Sequence, residues 1–173
     1  MDSAHRHEHI MNALRESDRP VSATVLANEL SVSRQIIVGD VALLRASGEK
    51  ILATPRGYVL DRSDRNKHRT VACMHDLDSM QDELNIMVDN GCTVVNVIVE
   101  HPLYGQLTGP LQLSNRYEVS QFVKNCNEQG ASPLSTLTGG IHLHVLSCPD
   151  EECFERTKKA LADAGFLYTD GKA

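Results

Sequence analysis

Hydrophobic residues recur at helical spacing in the first third of the chain, and in the rest they alternate between strand-like runs and helical stripes. Residues 5 to 17 predict a first helix with Ile10, Met11, Ala13 and Leu14 on its apolar side. Asp18-Arg19-Pro20 breaks it, and Ser22 caps a short second helix carrying Val25, Leu26 and Leu30. Ser31-Val32-Ser33 is a turn that opens a third helix from about Ser33 to Ser47. There Ile37, Val41 and Leu44 fall at i, i+4 and i+7 and must face a core. Two short apolar runs follow, Lys50 to Ala53 and Gly57 to Leu60. The Thr54-Pro55-Arg56 turn between them predicts a hairpin with an exposed basic tip.

The polar run Asp61 to Lys67 reads as a linker, dividing the chain into residues 1–63 and 64–173. Beyond it, His68 to Met74 predicts a strand with Val71, Ala72 and Cys73 inside. Asp76 to Asn90 predicts a helix stopped by Gly91, with an apolar stripe of Leu77, Met80, Leu84, Met87 and Val88. Cys92 to Glu100 is the most strand-like run in the chain. His101 to Gly105 is rich in turn residues, Gln106 to Leu113 predicts another strand, and Ser114 a cap for a helix through Gln129. Ile141 to Ser147 reads as a strand, Pro149 to Glu152 starts a last helix that Gly165 ends, and Phe166 to Tyr168 adds an edge strand. Together these elements predict an α+β domain with helices packed on one face of a sheet.

Composition narrows the setting. The 41% hydrophobic content is ordinary for a globular chain, and no apolar run approaches the roughly 18 residues that span a bilayer. The N-terminus lacks the layout of a secretory signal, so the expected location is the cytoplasm. Five cysteines (Cys73, Cys92, Cys126, Cys148, Cys153) form no short framework and read as buried thiols; that reading is preferred to metal binding for Cys148-x4-Cys153 as well. The net charge of −6 lies wholly beyond residue 63, because the first 63 residues hold eight basic and eight acidic side chains. A neutral N-terminal segment does not argue for nucleic acid by charge, so that claim rests on pattern.

The chemistry concentrates in Gly139-Gly140-Ile141-His142-Leu143-His144. On a strand His142 and His144 share a face and Ile141, Leu143 and Val145 the other, which places two imidazoles about 7 Å apart along the strand. The pair either ligates one metal ion or belongs to a wet polar face. At 100° per residue Glu83 falls beside Met87, on the edge of the apolar stripe, so its carboxylate points near buried surface and needs a partner. His75 can join it only by turning back over the helix start. Together His75, Glu83, His142 and His144 form a three-imidazole, one-carboxylate set suited to Zn²⁺, Ni²⁺ or Fe²⁺. His5, His7 and His9 do not share one helix face, although His5 and His9 do, and they read as a solvated helix start.

Two resemblances extend this reading. Val21-Ser22 through Leu30-Ser31-Val32-Ser33-Arg34-Gln35-Ile36-Ile37-Val38-Gly39-Asp40-Val41 to Arg45 resembles the helix-turn-helix of bacterial repressors, and Ala53-Thr54-Pro55-Arg56-Gly57-Tyr58-Val59-Leu60 resembles their wing. The resemblance implies that Ser33, Arg34 and Gln35 meet base edges in the major groove of operator DNA and that Arg56 reaches phosphate or the minor groove. Gly39 departs from the pattern, since relatives often carry a polar or basic side chain there. Met74-His75, Glu100-His101-Pro102-Leu103-Tyr104-Gly105 and Gly139-Gly140-Ile141-His142-Leu143-His144 are together similar to the NiaR-type nicotinate-responsive repressors, whose regulatory part is the three-histidine domain.

That family implies an HPr-like α/β sandwich for residues 64–173, in which His75, Glu83, His142 and His144 hold the metal. It implies nicotinic acid as co-repressor for genes of NAD biosynthesis or nicotinate uptake. For its carboxylate the expected donors are His101, Tyr104 and Arg116. Half-site operators imply a homodimer, and the short apolar runs imply no membrane partner. Two other functions remain open at this point, a metal-dependent hydrolase fused to a DNA-binding module and a sensor for which the ion itself is the signal.

Overall fold

Three short polar side chains start the N-terminal helices. Asp2 accepts from the His5 backbone N–H at 2.9 Å, Ser22 from Val25 at 3.1 Å and Ser33 from Ile36 at 3.3 Å, each satisfying a donor that the helix cannot pair internally. In the computed structural model, which describes residues 2–62 and 67–169, these caps open α1 (Ser3–Glu16), α2 (Ala23–Leu30) and α3 (Arg34–Ala46). Asp2 moves the start of α1 two residues ahead of the expected one. Ser31 adopts the left-handed conformation (φ 54°), which turns the chain sharply from α2 into α3. Ile10, Met11 and Leu14 of α1 meet Leu26, Ala27 and Leu30 of α2 and Ile37, Val41 and Leu44 of α3 in one buried cluster. The wing is a two-stranded antiparallel ribbon, β1 (Ile51–Thr54) and β2 (Gly57–Leu60).

The wing is fastened to the start of the helix-turn-helix by a pair of backbone bonds, Val21 N–H to Tyr58 O and Tyr58 N–H to Val21 O, both 2.9 Å. Gly57 lies beside this clasp with φ 136°, and a Cβ there would stand 2.5 Å from the Val21 carbonyl oxygen. Arg56 is half-buried, not the fully exposed tip the sequence suggested, and its backbone N–H is held by Thr54 Oγ1 at 3.2 Å. The wing turn folds onto its own hydroxyl acceptor and carries Arg56 inward.

Residues 1–63 and 64–173 form two compact units. Of the expected linker, residues 63–66 lie outside the described part. The second unit contains β3 (His68–Met74), α4 (Met80–Asp89), β4 (Thr93–His101), β5 (Gly105–Leu113), α5 (Arg116–Gln129), β6 (Ile141–Ser147) and α6 (Glu151–Asp163). The sheet order is β3-β6-β4-β5 with every pair antiparallel, so β6 is inserted between two strands made earlier. The helices supply Leu84, Met87, Val119, Phe154 and Leu161 to a core shared with Val71, Cys73, Val94, Leu113 and Leu146 of the sheet. Each fully buried Leu or Met of this set contributes about 2 kcal/mol by removal from water. This is the α+β class expected. No helix among the described residues is long and apolar enough to cross a membrane.

Several boundaries differ from expectation for local reasons. Asp76 caps a 3-10 turn, Leu77–Ser79, and the α-helix begins only at Met80; Leu77 therefore leaves the apolar stripe and is exposed. Asn115, not Ser114, caps α5: its side chain accepts from Glu118 N–H at 3.0 Å, and the Glu118 carboxylate reaches back to Ser114 N–H at 2.7 Å. The predicted strand after α6 reduces to one bridge, Leu167 against Cys73 on the outer edge of β3.

Replacing Gly57 by alanine forces a Cβ into the Val21 backbone and strains a left-handed residue. We expect the N-terminal unit to lose about 1–3 kcal/mol. Urea unfolding followed at Tyr58 in the wing checks this, and an unchanged midpoint contradicts it.

Candidate functional site

Alternation along β6 is as expected, and the structure decides which side is inside. His142 and His144 are each 3% exposed and face the helices, whereas Ile141 and Leu143 are 39% and 36% exposed on the open face of the sheet. The wet-face reading of the histidine pair is thereby excluded. Cross-strand neighbours agree, since His142 stands opposite Cys73 and His144 opposite Val71, both buried. Two imidazoles inside a core require partners.

Glu83 is that partner. It lies on the inner side of α4, 1% exposed, where its angular position beside Met87 directs it at the sheet. Its Oε1 is 2.9 Å from His142 Nε2, and its Oε2 is 2.7 Å from His75 Nε2 and 3.4 Å from His144 Nε2. His75 does turn back over the helix start, as the spacing demanded. Its backbone comes close to β6 because residue 140 is glycine. A Cβ on Gly140, whose φ is 98°, would lie 2.6 Å from the His75 carbonyl oxygen.

The second nitrogen of each ring fixes its tautomer. His75 Nδ1 faces Asp76 O at 2.5 Å, His142 Nδ1 faces Gly140 O at 2.8 Å and His144 Nδ1 faces Asn96 O at 2.7 Å. A carbonyl oxygen only accepts, so all three Nδ1 atoms carry the proton, and in neutral rings all three Nε2 lone pairs point at a carboxylate. Acceptors confronting acceptors in a buried pocket need a cation between them. Nε2 protonation relieves the conflict: burial pulls the His75 pKa down, but the hydrogen bond and charge of Glu83 outweigh it and raise it. For Glu83, burial pushes upward, and the charge of His144 with bonds from His142, His144 and His75 holds it well below the ordinary range. A divalent metal ion fits the same set, with three imidazole nitrogens oriented by backbone carbonyls and one carboxylate.

One neighbour was not singled out from sequence. Cys73 contributes its sulfur within 4.8 Å of ligand atoms of Glu83 and His142. Burial and the Glu83 charge push its thiol far up, so it stays protonated and donates to Glu83. The strand register, which places it opposite His142 and is not given by spacing along the chain, is what reveals it.

The expected effector donors do not converge. His101 and Tyr104 sit in the β4–β5 turn with their rings stacked, 5.1 Å between centroids; His101 Nδ1 accepts from the backbone N–H of Leu103 at 3.1 Å and of Tyr104 at 3.3 Å. That leaves the proton of a neutral His101 on Nε2, a donor. Arg116 is a correction. It follows β5 while Tyr104 precedes it, and a nine-residue strand separates its ends by about 26 Å. Arg116 is instead engaged by Asp89, with Nε to Oδ1 at 2.7 Å. Beside the turn, a groove of about 590 Å³ is lined by Ile98, Glu100, Gln106, Ile141 and Leu143 on the open face of the sheet; His142 borders it along β6, but its ring is on the opposite, helix-covered face.

In the N-terminal unit Arg34 and Gln35 are exposed at the start of α3, while the Ser33 hydroxyl is engaged as the helix cap. Ile36 (42% exposed), Gly39 and Leu43 (60%) continue that open face. Ile36 was missed because it looks like core; its apolar side chain suits a thymine methyl group. The inner side of α3 is tied to α1 through Asp40, which accepts from Arg6 Nε at 2.7 Å and Nη2 at 3.0 Å and lies 3.1 Å from His7. The hydrogen bond to Arg6 is the main cause of Asp40's depressed pKa. His9 pairs with Glu29 at 3.0 Å, so both histidines have carboxylate partners.

The family model of the 3H domain matches residues 68–170, and an HTH domain model matches residues 6–59. The chain belongs to the 3H-domain family of transcription repressors. It is 46% identical over 162 residues to the probable transcription repressor NiaR of Thermotoga maritima, covering 94% of this chain and 93% of that one. It is 42% identical over 171 residues to the transcription repressor NadR of Bacillus subtilis, covering 96% and 95%. This 3H-domain repressor thus pairs an α3 with an open outer face with a second unit whose buried polar cluster is built from four separated residues.

Two measurements test the cluster. In metal-stripped protein the raised His75 pKa adds stability that is complete below about 6.5 and lost as pH rises through the folded-state value. The depressed Glu83 pKa adds stability that is present above about 4.5 and lost as pH falls through its folded-state value. The advantage of the parent over Glu83→Gln is therefore greatest between these pH values. It shrinks toward pH 9, where the glutamine amide can donate to neutral Nε2; a difference in Tm that grows above pH 6.5 contradicts the tautomer assignment. Gly140→Ala, by displacing His75, is expected to cut bound divalent metal at least tenfold by elemental analysis while leaving the helix content unchanged.

Proposed function

We propose that this repressor senses nicotinic acid as a co-repressor at a metal-bearing 3H domain and controls genes of NAD biosynthesis or nicotinate uptake. The observation that carries the reading is the confrontation of three Nε2 lone pairs with the Glu83 carboxylate. His75, Glu83, His142 and His144 would hold the ion, which is zinc, nickel or iron by donor chemistry. A bound ion supplies Lewis acidity toward a pyridine nitrogen or a carboxylate. The chain's own residues do the rest: the groove on the open face of the sheet, lined by Ile98, Ile141 and Leu143 and separated from the cluster by β6, receives the planar ring, and His101 Nε2–H with the Tyr104 hydroxyl offers donors at its turn end.

DNA is engaged by Arg34 and Gln35 at the base edges, with Ser33 at the backbone and Arg56 on the wing. The active species is a cytoplasmic homodimer, since paired half-sites need two reading helices. Nicotinate acts through the coupling free energy between groove and operator contacts, typically about 1–3 kcal/mol. The hydrolase alternative lacks support: Glu83, the acid nearest the imidazoles, is enclosed by all three of them, and both named relatives are repressors. The function is a DNA-binding regulator and not an enzyme.

Titration of labelled operator with metal-loaded protein should show affinity rising about five- to 150-fold on adding nicotinate, with the rise absent in His142→Ala. Equal affinity with and without nicotinate refutes the effector, and a full response to metal alone assigns the signal to the ion.

A further inference from the structure

A second group of donor atoms lies at the other end of β6. Cys92, in the turn between α4 and β4, Cys148, just beyond β6, and Cys153, in the first turn of α6, bring three sulfurs together within 4.8 Å of one another. Cys92 Sγ is 3.2 Å from Cys148 Sγ and 3.6 Å from Cys153 Sγ, and all three residues are buried. Cys148 is four residues beyond His144, about 13 Å at strand rise, and the two clusters share no residue. We propose that these cysteines form a three-thiolate site for a soft, thiophilic metal ion such as Cu⁺.

The donor set selects the class of ion. Thiolates without imidazole or carboxylate favour soft, polarizable cations over the borderline ions suited to the histidine cluster. Metal–sulfur bonds of about 2.3 Å space three sulfurs about 3.8–4.0 Å apart, which these reach by moves of about half an ångström. The thiols are held by one another and by the Asn90 carbonyl and Thr157 hydroxyl oxygens, bonds that an ion taking the place of the thiol protons would replace. The Thr157 hydroxyl donates to the Cys153 carbonyl at 2.8 Å, so it presents only lone pairs to Cys92 Sγ at 3.3 Å and cannot protonate or cap a thiolate. Arg156 donates to the Asn90 carbonyl at 2.9 Å, the same carbonyl that accepts the Cys153 thiol hydrogen at 3.0 Å, and brings positive charge to the edge of the group.

A disulfide is the competing use of the Cys92–Cys148 pair. It would require an oxidant to remove two electrons and two protons. Burial pushes the Cys92 thiol up to about 11, and burial raises Cys148 and Cys153 too, so the pair is a poor nucleophile toward peroxide. An entering Cu⁺, in contrast, forms three metal–sulfur bonds as the three S–H bonds break and their protons are released to solvent, with no change of oxidation state. Placement gives the site a role. Cys92 follows α4, the helix that carries Glu83, and the backbone N–H of Cys148 holds the Lys67 carbonyl at 3.0 Å where the second unit begins. One helix therefore spans both donor clusters.

The full-length protein is reduced, stripped of metal and titrated anaerobically with Cu⁺ against a chromophoric copper chelator. X-ray absorption at the copper edge then counts sulfur neighbours. The expected result is one equivalent bound with three sulfurs, retained in His144→Ala and weakened at least a hundredfold in Cys148→Ala and in Cys153→Ser. Circular dichroism identifies which variants fold, and a loss in either folded cysteine variant supports the site. Copper bound through nitrogen alone, no copper competing with the chelator, or three-sulfur binding retained in a folded cysteine variant overturns it. So does a Cys92–Cys148 disulfide that re-forms in reduced protein faster than copper binds.

Discussion

Three hydrogen bonds from imidazole Nδ1 atoms to backbone carbonyls set the chemistry of the regulatory unit. Each is ordinary in strength, about 1 kcal/mol net. Together they remove any choice about where the ring protons sit, and they do so from three different places: the turn after β3, the start of β6 itself and β4. With the tautomers fixed, Glu83 faces three bases and the pocket accepts only species that bring positive charge, protons or metal. The fold pays for a buried carboxylate and three buried rings because the helices and the sheet close around them, and the same closure keeps water from dissolving the conflict.

Much of this was readable in the sequence, and the failures have physical causes. Helix angle placed Glu83 at the edge of the α4 stripe, and strand alternation put His142 and His144 on one face. What alternation cannot say is which face is inside. Ile141 and Leu143 are the more apolar pair, yet they lie on the open side because the helices all fall on the other, and helix placement is a property of the whole topology. The effector donors failed in a similar way at Arg116. Tyr104 and Arg116 are close in sequence, but an extended strand lies between them and carries them to opposite ends of the sheet. Cys73 and the three-sulfur group were treated as core thiols since their convergence depends on strand register and on a helix start that spacing alone does not position.

In the N-terminal unit Ser22 and Ser33 were legible as helix starts because a single Ser decides each, whereas the Asp2 cap, two residues ahead of the expected first helix, was not. The orientation of α3 rests on a longer-range contact. Asp40 is buried against Arg6 and His7 of α1, so the helix that carries Arg34 and Gln35 is oriented by charge from behind as well as by Ile37, Val41 and Leu44 from beneath. Ile36 and Leu43 then remain on the outer face, and Gly39 between them leaves the backbone uncovered. Apolar groups kept in water on such a face are a cost to the isolated unit that contact with DNA removes.

The central position of β6 also governs how the molecule comes into being. Glu83 and His75 are made early, but the strand bearing His142 and His144 emerges about 60 residues later and must slot between β3 and β4. Until then β3 and β4 have no shared neighbour, and the sheet lacks its middle. A chain still on the ribosome before Ser147 has neither the tautomer-fixed rings nor the carboxylate's partners, however well its helices have formed. The cluster is thus a mark of completed synthesis, present only in molecules whose last strand has found its place.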